Sequence, residues 1–219
     1  MARDLHLVIV NKAYSSWSMR PWTAMAVAGL KFRETVIPLY QPNTATEIAK
    51  YSRAGKCPVL QHGDITVWES LAILDYLAEA FFDRHWWPTD PYARAMARSI
   101  ATEMHSGFRD LRIALPMNLR RDNQPTTPSE AVDKDVARIS AIWRDAREQF
   151  GKGGAFLFGE FSHADAMYAP VVSRFKTYGV KLDAVSQAYC EAILDLPAVK
   201  DWYAAAAREP WVIGQYDVP

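Results

Sequence analysis

The chain has 219 residues, of which 50% are hydrophobic, 12% aromatic and 23% charged, enough to bury a core and too apolar for disorder. Lys+Arg and Asp+Glu are equal at 25 each, so the basic excess that a nucleic-acid partner requires is missing. No apolar run approaches the roughly 18 residues of a membrane span, and Met1-Ala2-Arg3-Asp4-Leu5-His6 lacks the apolar stretch of a signal peptide; a cytoplasmic protein with no membrane partner is expected.

Residues 5–10 form a β-branched apolar run that reads as a buried central strand. A polar, turn-like stretch over 12–18 follows, and Pro21 suits the first turn of a helix that stops at Gly29. Residues 32–38 read as a second strand, and Thr44-Ala45-Thr46-Glu47 reads as a capping box opening a short helix. Residues 59–61 and 65–68 flank the turn His62-Gly63-Asp64 as a tight hairpin, after which 70–80 returns to helical spacing with Leu71, Leu74, Leu77 and Ala78 on one face.

Residues 83–90 contain no periodicity and read as a linker. Beyond it only helical patterns appear, over 92–119, 129–150 and 164–178, with shorter pieces ending near Arg208. The order βαβαββα followed by helices describes an α/β plus all-α chain: a thioredoxin-like domain over 1–82, the linker 83–90, and an all-helical domain over 91–219.

Cys57 and Cys190 have no CxxC or metal-ligand spacing, and the five histidines are scattered, which argues against a disulfide framework and against a metal site. Three short segments carry candidate chemistry. The loop Tyr14-Ser15-Ser16-Trp17-Ser18 lies between a strand end and a helix N-terminus, where backbone N–H groups and a hydroxyl can stabilise a thiolate or another anion. Serines there also serve as plain N-caps, so both readings stand. In Gly55-Lys56-Cys57-Pro58-Val59 a proline precedes an edge-like strand; a cis bond would let the Cys57 backbone pair with an extended peptide, whereas trans is the commoner state. Glu69-Ser70 opens a helix and fits either a cap or a ligand with an amine and a carboxylate, as at an α-amino acid end.

Taken together, the serine loop, Lys56-Cys57-Pro58-Val59-Leu60 and Trp68-Glu69-Ser70-Leu71-Ala72-Ile73-Leu74-Asp75-Tyr76-Leu77 resemble the cytosolic glutathione S-transferase family. The resemblance covers nearly the whole chain. It implies that glutathione is the co-substrate and is bound by the first domain. The second domain would wall a pocket for small hydrophobic electrophiles, the chain would form a homodimer, and no metal and no covalent enzyme intermediate would be needed. By position, Ser15 resembles the thiol-activating serine, with Ser16 and Ser18 as alternatives and Trp17 as their neighbour. Cys57 and Pro58 resemble the segment that pairs with the glutathione cysteine. Glu69 and Ser70 resemble the pair that holds the γ-glutamyl amine and carboxylate, and Lys56, Tyr40 and Gln41 are candidates for the glycyl carboxylate.

Phe161-Ser162-His163-Ala164-Asp165 resembles the family's buried capping box, which serves folding. Met104, Phe108, Arg112 and Leu115 share a helix face and are candidate walls of the electrophile pocket, although such a stripe more often faces a core. His105 fits a packed or surface position better than a base. Ser15-Ser16-Trp17-Ser18-Met19-Arg20 is similar to the Ser-Ser-Cys-Ser-x-Arg signature of the zeta class, whose members isomerise maleylacetoacetate, with Trp17 in the cysteine's place. The expectation is a bacterial-type serine transferase. A glutathione-dependent cis-trans isomerase and a non-catalytic glutathione-binding scaffold are the alternatives, the scaffold disfavoured because Ser15, Glu69 and Ser70 are all present.

Overall fold

A computed structural model describes residues 4–216; the opening segment 1–3 and the ends of the two outer domain spans lie outside the described residues. The strands are β1 (Leu5–Val10), β2 (Arg33–Ile37), β3 (Val59–His62) and β4 (Ile65–Trp68), in the order β2-β1-β3-β4. β1 pairs parallel to β2 and antiparallel to β3, and β3 pairs antiparallel to β4. Helices α1 (Ser16–Val27), α2 (Thr44–Ala49) and α3 (Ser70–Ala80) complete this α/β half. It is followed by α4 (Pro91–Ser106), α5 (Arg109–Ala114), α6 (Glu130–Phe150), α7 (His163–Thr177), α8 (Ala184–Asp195) and α9 (Pro197–Arg208), so the fold class is the expected one.

β1 is buried on both faces, which is why its sequence is continuously apolar. Leu5, Leu7 and Ile9 join the main core with Met19, Met25 and Leu74, whereas Val8 and Val10 pack with Ile37, Ile48 and Val59 on the other side. The hairpin closes with Val59 opposite Trp68 and His62 opposite Ile65, and Gly63 takes the positive φ of 59° that its turn requires. α7 is buried nearly all round and packs against α1 and α4, joining the two halves in one core.

Four local expectations are corrected. α1 starts at Ser16 and carries Pro21 inside it, because the Ser15 side chain caps the helix a turn earlier than the proline suggests. At α2 the position before the helix is Asn43, and Thr44 instead accepts from the Gln41 N–H and donates to the Pro38 carbonyl, so no Thr44–Glu47 capping box forms. β3 is not an edge strand; it lies between β1 and β4. The single helix expected over 92–119 is two, broken where Phe108 adopts φ 59°. Arg112 turns back across that break, donating to the carbonyls of Met104, His105 and Gly107.

Candidate functional site

A cleft of about 630 Å³ opens between the carboxyl end of β1, the start of α3 and the helices that follow. Its floor is the N-terminus of α1. Ser15 has extended backbone angles (φ −95°, ψ 94°), and its Oγ accepts from the Ser18 N–H at 3.2 Å. The same Oγ donates to Ser18 Oγ at 2.9 Å, and Ser18 Oγ accepts from the Val10 N–H at 3.2 Å. Ser15 and Ser16 line the cleft; Ser18 is fully buried beneath Ser15 and does not.

The loop carrying these serines is anchored largely from the far end of the chain. Both carboxylate oxygens of Glu209 accept from the loop, from Lys12 N–H at 2.7 Å and Ala13 N–H at 3.2 Å. Trp202 Nε1 donates to the Lys12 carbonyl, Leu119 N–H donates to the Ala13 carbonyl, and Arg174 Nη2 donates to Ser16 Oγ at 3.3 Å.

One wall is formed by Lys56, Cys57, Pro58, Glu69 and Ser70. The Cys57–Pro58 bond is cis. Burial pushes the Cys57 thiol up to about 11, so it stays protonated near neutrality and is no nucleophile. Glu69 is held at φ 68°, a conformation that costs a non-glycine residue on the order of 1–3 kcal/mol. It makes no capping bond, and the buried Ser70 Oγ has no hydrogen-bond partner among the described residues. Ser70, at the first position of α3, thus brings a hydroxyl with no partner among the described residues to the cleft beside the helix's positive end, an arrangement suited to an anion.

Trp17, Arg112, Pro116, Met117, Arg174 and Tyr216 form the opposite wall. Of the four residues expected there from the helix stripe, Arg112 alone lines the cleft; Met104, Phe108 and Leu115 are buried in the main core, since the break at Phe108 turns that face inward. Tyr40 is exposed and reaches Tyr216, while Gln41 bonds back to the Leu39 carbonyl; neither lines the cleft. His105 sits edge-on to Trp17, its Nε2 3.8 Å from Glu69, and burial together with Arg20 and Arg112 lowers its pKa, so it is neutral near pH 7.

Sequence reasoning missed Arg174, Met117 and Tyr216. Pro116-Met117 adjoin the expected Leu115 and were one turn from view, but Arg174 gives no signal until α7 is known to be buried on every side. Among the described residues no cluster of His, Cys, Asp or Glu could hold a metal ion, and no helix is long and apolar enough to cross a membrane.

Comparison with known proteins agrees with this fold. The chain is 28% identical to chicken glutathione S-transferase theta-1 over 174 residues, 75% of this chain and 61% of that protein, so it spans less than two thirds of that relative. It is 27% identical to a rat maleylacetoacetate isomerase over 179 residues, 80% of this chain and 81% of that one. Its fold matches a Burkholderia glutathione transferase homolog solved with bound glutathione, with a TM-score of 0.72, 21% identity, and coverage of 94% of this chain and 100% of that one. Residues 14–80 match the glutathione S-transferase N-terminal domain and residues 129–205 the C-terminal domain, which together span most of the chain from the serine loop to α9: it belongs to the glutathione S-transferase family.

Proposed function

We propose that the protein conjugates the thiolate of glutathione to small electrophiles, with Ser15 stabilising the sulfur anion. The observation that carries this reading is the hydroxyl pair at the α1 N-terminus. Hydroxyl protons rotate, so Ser18, already accepting from Val10 N–H, can turn its proton to Ser15 and leave the Ser15 proton to point into the cleft. A cysteine thiol has a pKa of about 8.5, and lowering it by about two units takes roughly 2.7 kcal/mol. One charge-assisted hydrogen bond contributes about 1.5–3 kcal/mol, and the α1 terminus adds about 0.3–1 kcal/mol.

The unpartnered Ser70 hydroxyl and α3 N–H groups suit the γ-glutamyl carboxylate, with Glu69 beside them for the amine. The Cys57 backbone, at the entry to β3, suits antiparallel pairing with the tripeptide, and Lys56, exposed at the cleft mouth, suits its glycyl carboxylate. We assign glutathione binding to 1–82, the linker to 83–90 and the electrophile wall to 91–219. A cytoplasmic homodimer completes the reading. The large exposed side chains Trp68, Phe82 and Tyr92 favour such an association, which sedimentation would test.

A second reading, glutathione-dependent cis-trans isomerisation, is favoured by the adjacent Ser15 and Ser16 at the cleft floor and by the similarity to a maleylacetoacetate isomerase. Turnover of maleylacetoacetate or maleylpyruvate would select it. The primary test is an ultraviolet titration of the protein with glutathione, following thiolate absorbance against pH. A bound thiol pKa about two units below the free value is expected. Binding with an unshifted pKa would overturn activation, and no binding would overturn the function.

A further inference from the structure

Three arginines, Arg20, Arg112 and Arg174, gather at and behind the lining of the cleft, close enough that their charges act on one another. Trp17 lies against two of them: the Arg20 guanidinium is 4.4 Å from its ring centroid and that of Arg112 is 4.8 Å away. Arg20 is fully buried, and none of its three guanidinium nitrogens has a hydrogen-bond partner among the described residues. Arg112 lines the cleft with Nη1 likewise unpartnered. Arg174, also lining it, donates among the described residues to the Leu115 and Pro170 carbonyls and to Ser16 Oγ, all of them uncharged.

No ion pair among the described residues involves any of the three. The carboxylates acting nearby are Asp135, which accepts from Leu111 N–H, and Glu69, 3.8 Å from His105. Burial and mutual repulsion hold the pKa of Arg20 well down and that of Arg174 down to about 9. Uncompensated buried cations are costly, and an incoming anion relieves that cost. Among the described residues no carboxylate forms an ion pair with any of the three.

We infer that the electrophile carries a carboxylate, bound by Arg112 and Arg174 in the cleft, with Arg20 acting through Trp17 as a positioning residue. This rests on the transferase reading above and narrows its substrate class. The reacting carbon then faces Ser15 while the carboxylate is held on the opposite wall.

The test compares 4-chloro-3-nitrobenzoate with its methyl ester. In each, the thiolate sulfur forms a C–S bond and chloride leaves with the C–Cl electron pair. After correction for the uncatalysed rates, kcat/KM is expected to favour the acid by about tenfold or more, the worth of a charged hydrogen bond. Arg112→Gln and Arg20→Met should bring that ratio towards one. Arg112 also bridges the α4–α5 break, so Arg20→Met is the decisive variant: it removes an unpaired buried charge and should keep or raise Tm. If Arg20 serves folding alone, Tm falls and the ratio stays, which overturns its role.

Equal kcat/KM for acid and ester in the wild type would overturn the inference. So would an unchanged ratio in both variants accompanied by weaker glutathione binding, since the arginines would then serve a glutathione carboxylate. If glutathione itself fails to bind, the transferase reading falls separately. Calorimetric binding of 4-chloro-3-nitrobenzoate to the protein alone then decides the site, with binding lost in Arg112→Gln supporting it and no binding overturning it.

Discussion

Two helices of this protein start from similar residues and are finished in opposite ways. At α7 the Asp165 carboxylate accepts from Ser162 N–H at 2.8 Å, from the Ser162 hydroxyl at 3.0 Å and from Leu157 N–H at 3.1 Å, so the capping serine finds its partner within the protein. At α3 Glu69 is strained, caps nothing, and leaves the Ser70 hydroxyl without a partner. A serine with an acidic neighbour is thus a fold element in one place and an open binding element in the other. The difference lies in which polar atoms the chain itself satisfies.

That contrast can be broken experimentally. Asp165→Ala leaves two N–H groups and a hydroxyl buried without an acceptor, and should lower unfolding free energy by about 3–4 kcal/mol in denaturant titrations. Glutathione affinity of the folded fraction should not change.

Ser15→Ala should lower turnover by about 100-fold, the equivalent of roughly 2.7 kcal/mol, with a much smaller change in glutathione Kd. Loss of Kd instead of kcat in steady-state and binding assays would make Ser15 a mere cap.

The buried end of α7 should also answer to pH. His163, wedged against Trp86 and Trp87, is pushed by burial from 6.5 down to about 3, so the unfolded chain binds its proton first and stability falls as pH drops below 6.5. Asp165, pushed by burial from 3.8 up to about 6, works the other way: its share of stability is fully present below 3.8 and is lost as pH rises through 6. The histidine has the larger shift, and the two leave a net loss of about 2 kcal/mol on acidification from neutrality to pH 3. In His163→Phe, Tm measured across that range should no longer show this loss.

The smallest effect is at α3. Ser70→Ala should weaken glutathione binding about tenfold, near 1.4 kcal/mol, and leave Tm unchanged because no protein group depends on the hydroxyl.

Much of this was legible from the sequence, for physical reasons that differ by site. The strands announce themselves because β1 is buried on both faces and the β3–β4 turn needs a glycine. Ser15, Lys56 to Pro58, Glu69 and Ser70, which line one cleft, sit in short contiguous segments, so each can be named from the sequence without knowing that they meet. The opposite wall is different. Phe108 sits in an unbroken helical pattern, and what breaks the helix is a left-handed residue bridged by Arg112, a tertiary event with no local signal. Pro21 misplaced the start of α1 because a proline tolerated within a packed helix looks like one at its first turn. Arg20 shows its importance only through the partners it lacks, and a missing partner cannot be read from a linear string; Arg174 shows its own only once α7 brings it against Ser16.

The attachment of the serine loop to Glu209, Trp202 and Leu119 makes the placement of Ser15 depend on the helical half of the chain as well as on the sheet. Without α7, α9 and Glu209 the backbone at Lys12 and Ala13 would lose its outer partners and Ser16 would lose Arg174. On the proposed reading, holding the tripeptide and holding its sulfur in register are separable tasks, and trimming back past α9, which removes Glu209, would blunt the chemistry before it loosened the grip.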